Sequence, residues 1–66
     1  MKYTDWKNIR DDLRVMADKV TDFFQTVDKC YEKTQMISVK IKADALQEMI
    51  NKLEEAHNIA EMFMED

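Results

Sequence analysis

The sequence predicts an all-α fold: a two-helix antiparallel hairpin, about 4–33 and 44–64, that self-assembles into a helical bundle. Three observations lead there. From Trp6 to Cys30 an apolar residue recurs at every third or fourth position. Charged residues make up 36% and the apolar set 45%, with no Gly and no Pro, a profile of long helices rather than sheets or disorder. The chain has 66 residues, and a domain of that size buries only about 60% of its unfolded surface, so it needs outside help to be stable.

The first helix carries its stripe at Trp6, Ile9, Leu13, Met16, Val20, Phe23, Val27 and Cys30, in alternating steps of three and four. With Trp6 as heptad position a, the d row is Ile9, Met16, Phe23 and Cys30. Tyr3, Ala17, Phe24 and Tyr31 add an e row in which Arg10 is the polar member. Rows a, d and e together make the wide face of a bundle helix rather than a bare coiled-coil seam. Thr4 suits the N-cap, and Asp5 suits the first turn, where the helix dipole favours an acid.

The second helix has its own frame. Leu46, Met49, Leu53, Ala56, Ala60 and Phe63 repeat the spacing, and Ile50, His57 and Met64 flank them as an e row. Asp44 and Gln47 have capping-box spacing. The stretch between the helices, near 34–43, is expected to be extended or a loop. There the first frame fails, and "ISVKI" alternates apolar with polar residues and is rich in β-branched side chains.

A second helix roughly two turns shorter than the first cannot cover a three-row stripe bearing Trp6, Phe23, Phe24 and Tyr31. The remainder must meet another copy or another protein. The expected oligomer interface is Trp6, Ile9, Leu13, Met16, Val20, Phe23, Phe24 and Val27, with Leu46, Met49, Leu53 and Phe63. Other remedies for small size are poorly supplied: one Cys allows no disulfide within the chain, and one His with one thiol is a thin metal set. Cys30, at a core-spaced position, is expected to be buried and inert.

Charge is uneven. Residues 1–42 hold nine Lys/Arg against seven Asp/Glu, for +2, and residues 43–66 hold one Lys against seven Asp/Glu, for −6. Antiparallel pairing sets the two beside each other, which biases orientation more than it adds stability. The net −4 disfavours nucleic acid as a partner. No stretch has the roughly 18 apolar residues of a membrane span. The amino terminus turns polar before any apolar run develops, so a cytoplasmic protein with no membrane partner is expected.

Three constellations admit sharper readings. Glu54, His57 and Glu61 have the spacing of helical metal ligands, but the two acids fall on the polar face and the first helix offers no acid at a or d. No metal and no cofactor are expected. Lys29, Lys33, Lys40 and Lys42 cluster about the interhelical segment, a possible anion site for a small phosphate-bearing ligand, with the start of the second helix beside them. Tyr31, Met62, Phe63 and Met64 form a candidate protein-partner patch, since methionine-rich surfaces adapt to varied partners. "ISVKIKADALQEMINKLEEA" looks like the strand and first helix of ribbon–helix–helix repressors, in which Ser38, Lys40 or Lys42 would face bases. The turn and second helix those proteins need do not follow. No nucleophile–base set can be argued, so an enzyme is not expected.

Trp6, Ile9, Arg10 and Ala17, with Leu53, Glu54, Glu55, Ala56 and Ala60, resemble in type and spacing the small hairpin proteins with which phages sequester cyclic-oligonucleotide immune signals. The match covers about a third of the chain, and that family's short connection with Pro and Arg-Glu is absent. The resemblance implies a non-enzymatic, anti-defence oligomer of hairpins with ligand pockets between protomers. It carries over no ligand residue. The sequence thus leads to a self-associating binding protein, an adaptor or inhibitor of a macromolecular partner. A sponge for a phosphate-bearing molecule and a DNA-binding regulator stand as alternatives.

Overall fold

The structure, a computed structural model, describes residues 2–64. It consists of α1 (Tyr3–Thr34) and α2 (Ile37–Met64), packed antiparallel into a rod 48 Å long and about 14 Å across. The length is that of α1 itself, 32 residues at about 1.5 Å each. The all-α hairpin expected from the periodicity is the fold found.

The start of α1 lies slightly upstream of the expected Thr4. Lys2 is the capping residue, in extended conformation, and its backbone N–H donates to the Asp5 carboxylate at 3.0 Å. A lysine side chain has no acceptor to offer the first turn, so Asp5 supplies the one side-chain bond of this cap.

The connection is where expectation and structure part. Of residues 34–43 only Gln35 and Met36 lie outside a helix: Thr34 still belongs to α1, and α2 begins at Ile37. "ISVKI" is helical. β-Branched residues cost a helix only a few tenths of a kcal/mol each, less than packing returns. Val39 is half-buried and Ala43 is buried against α1, so each added turn of α2 lengthens the seam. Asp44 and Gln47 therefore lie inside the helix and cap nothing. The same helix removes the two-stranded ribbon through which Ser38, Lys40 or Lys42 would have met bases. At 28 residues, α2 is only four shorter than α1.

Two residues make the turn. Gln35 adopts the left-handed conformation, φ 55° and ψ 27°, and its backbone N–H donates to the Tyr31 carbonyl at 2.7 Å. Its side-chain amide donates to the carbonyls of Tyr31 and Glu32 at 3.3 and 3.2 Å, a second bond to the first and a partner for the second near the helix end. Met36 then opens α2, its carbonyl accepting from Val39 and Lys40. Glycine is the usual occupant of such a left-handed cap because it has no Cβ to crowd the carbonyl. The amide bonds explain how a glutamine manages.

The seam uses rows a and e of each helix. On α1, Trp6, Leu13 and Val27 (a) and Arg10, Ala17, Phe24 and Tyr31 (e) are half-buried, and Val20 (a) is buried. Opposite them, Leu46, Ile50 and Ala60 are buried, with Leu53, His57 and Met64 half-buried. Val20, Leu46 and Ile50 form the centre, ringed by Phe24, Val27 and Leu53. Arg10 is tolerated in this row because Nε and Nη2 donate to Asp11 Oδ1 at 3.1 and 2.9 Å. Ala60, 2% exposed, marks the closest approach near the open end.

Replacing Gln35 with Gly relieves the left-handed strain and should stabilise the hairpin by about 0.5–1 kcal/mol, or roughly 3–6 °C in a thermal melt. Gln35→Val, β-branched and without the amide, should lower the melting temperature instead.

Candidate interaction surface

With a and e turned inward, the d rows of both helices are left at the side. Ile9, Met16, Phe23 and Cys30 line one edge, and Met49 and Phe63 line the other, with half-buried Ala56 between them. Antiparallel packing brings these rows onto the same lateral face. Met16 and Met49 border one apolar recess together with Val20, Leu53 and the Lys52 stem. The opposite lateral face is polar, and its recess is lined by Arg14, Ala17, Asp18, Leu53, Glu54 and His57. One side of the rod is therefore an apolar strip and the other is charged.

The expected interface residues divide accordingly. Trp6, Leu13, Val20, Phe24, Val27, Leu46 and Leu53 are taken up within one chain, by the hairpin itself. Ile9, Met16, Phe23, Met49 and Phe63 stay between 39% and 58% exposed. Cys30, expected to be buried, is exposed, because it belongs to the d row. In area, a folded monomer of 7.9 kDa should expose about 4,400 Å², and this chain exposes 5215 Å². The excess of about 800 Å² is what a lone two-helix rod leaves uncovered.

The expected partner patch does not stay together. Phe63 stacks on Trp6, ring centroids 4.6 Å apart and planes inclined by 18°. Met64 is half-buried in the seam, and Tyr31 is half-buried with Lys40 Nζ 5.6 Å from its ring centre. Only Met62 stands clear, at 67% exposure. Ile59, three residues before it, is exposed as well. Ile41 and Ile59 are exposed and 18 residues apart, which is five whole helical turns, so both lie on the back of α2. That interval was legible, but the expected strand had placed Ile41 outside the helix.

The lysines scatter. Lys29 and Lys33 border a shallow recess of about 400 Å³ with Thr26, Cys30 and Thr34 on α1. Lys40 is turned to Asp44, Nζ–Oδ1 3.4 Å, and to Tyr31, while Lys42 is exposed on α2. The start of α2, expected near Asp44, is two turns upstream at Ile37 and has no acid in its first turn. His57 Nδ1 lies 3.8 Å from Glu61 Oε2, an i,i+4 pair on the helix surface, and Glu54 is exposed one turn back. Among the described residues, no three His, Cys, Asp or Glu side chains gather closely enough to hold a metal ion. No described helix is long and apolar enough to cross a membrane.

Comparison with protein-family models, with curated proteins and with solved structures gave no match.

Because Phe63 covers Trp6, Phe63→Ala should shift the tryptophan emission to longer wavelength and cost roughly 1 kcal/mol of stability. Fluorescence and a thermal melt on the same sample check both.

Proposed function

We propose that the protein is a non-enzymatic, self-associating helical binding protein that acts as an adaptor or inhibitor by occupying a macromolecular partner, most simply another protein. The observation that carries this reading is the strip of d-row residues left on one side of the rod while the other side is polar. Water-exposed apolar surface of this extent is unfavourable at about 25 cal/mol per Å², and covering it with a second copy removes that cost. It also supplies the core that five buried residues alone do not.

Assembly through the strip leaves the back of α2 free. Ile59 and Met62 point away from the seam there and offer a partner apolar contacts near the open end, with Ile41 on the same back about 27 Å away toward the turn. The ion pairs of the described residues, Lys7–Asp11, Arg10–Asp11, Lys40–Asp44 and His57–Glu61, each join neighbours on one helix. Of the four lysines, Lys29 and Lys33 share one shallow recess on α1, and Lys40 is engaged with Asp44 on α2.

Native mass spectrometry on protein purified gently from cells tests this reading. Integer multiples of 7.9 kDa with a second polypeptide retained are expected, and Met62→Glu should release that polypeptide while preserving the multiple. A chain that is monomeric at every concentration removes the reading. A retained mass of nucleotide size would replace the adaptor with a sponge.

A further inference from the structure

The strip carries both a hole and a knob. Met16 and Val20 on α1, with Met49 and Leu53 on α2, bound an apolar recess of about 300 Å³ edged by Lys52. Phe23 is 58% exposed and is the bulkiest uncovered side chain of the α1 edge. The recess is centred near position 18, midway between Met16 and Val20, so Phe23 lies five residues further along, roughly 7.5 Å. A knob and a hole offset along one face meet the condition for a reciprocal contact. Turning a second copy by 180° about an axis in the face and across the rod brings each knob level with the other hole, on its α1 side.

We propose that the strip is occupied by a second copy of this chain, seated antiparallel, with Phe23 of each copy in the recess of the other. This inference rests on the self-association reading above and specifies its geometry. The two-fold axis then crosses α1 between Val20 and Thr21, halfway between positions 18 and 23. In the antiparallel hairpin Leu53 is level with Met16 and Met49 is level with Val20, so Met49 falls on the axis and meets its own counterpart. Cys30 lies nine to ten residues from the axis, which puts the two thiols about 28 Å apart. The surface excess of about 800 Å² equals one partner's share of a standard interface. The opposite side is the less favourable choice, since Arg14, Asp18 and Glu54 would lose water there, and two copies together bring two arginines against four acids.

The test is oxidative cross-linking of the full chain carrying Cys30→Ser and Met49→Cys, beside the native chain, with light scattering for mass and circular dichroism for helicity. The Met49→Cys protein is expected to form a disulfide-linked dimer, while the native protein, with Cys30 as its thiol, forms none. Phe23→Ala should weaken the non-covalent dimer roughly tenfold or more with helicity retained once paired, and Phe23→Leu should recover most of the loss. A dimer that links through Cys30 but not through Met49→Cys overturns the antiparallel seating and leaves self-association standing. Monomers at all concentrations overturn both.

Discussion

The structure depends on the two-residue turn at Gln35–Met36. A connection this short leaves α2 no freedom to choose its rotation about its own axis. Once Gln35 adopts the left-handed conformation and Met36 opens the next helix, the azimuth of every later side chain is set. The row of Ile50, His57 and Met64 then faces α1, and the row of Met49, Ala56 and Phe63 is left to the side. The corresponding rotation of α1 turns Phe24 inward and Phe23 outward. The apolar strip is thus a product of the turn as much as of the heptads. Each helix alone has a wide apolar face, and the turn decides which part of it the chain keeps for itself.

This explains what was legible in the sequence. Helix class, antiparallel pairing and membership of the apolar face follow from the spacing of Trp6 to Cys30 and of Leu46 to Phe63, because the 3.6-residue period is imposed by backbone geometry. The division of that face into seam and strip was not legible. Phe23 and Phe24 are equivalent in composition, and only the rotation fixed at Gln35 separates them. The turn itself escaped notice because glutamine is not a residue that announces a left-handed cap. The β-branched run after it spoke for a strand, until the gain from burying Val39 and Ala43 outweighed a small propensity. Of the candidate sites, the lysine cluster was legible as a cluster along the chain only. Although close in sequence, Lys33 stands on α1 while Lys40 and Lys42 stand on α2.

The energetics follow the same division. Four of the five buried residues lie on α2, and two of those are alanines, so α2 approaches α1 closely but brings little bulk. Bulk sits instead on α1, in Trp6, Phe24 and Tyr31, and each of these is only half covered. A single rod of this kind has a seam without a centre. Pairing two such rods through the strip would instead cover Phe23, Met16 and Met49, the exposed apolar side chains beside that seam.

The stacked pair of Trp6 and Phe63 closes the end of the rod opposite the turn, and it has a mechanical meaning. Both ends of the described chain emerge there, side by side, so a load applied between them does not slide the helices past one another along 48 Å of seam. It peels them apart one turn at a time, beginning with those two rings and ending at Gln35. Resistance to such a pull depends on the single contact being opened rather than on the sum of all. The aromatic pair is therefore the clasp of a zipper, and any cargo joined at that end would open the hairpin by pulling on the clasp first.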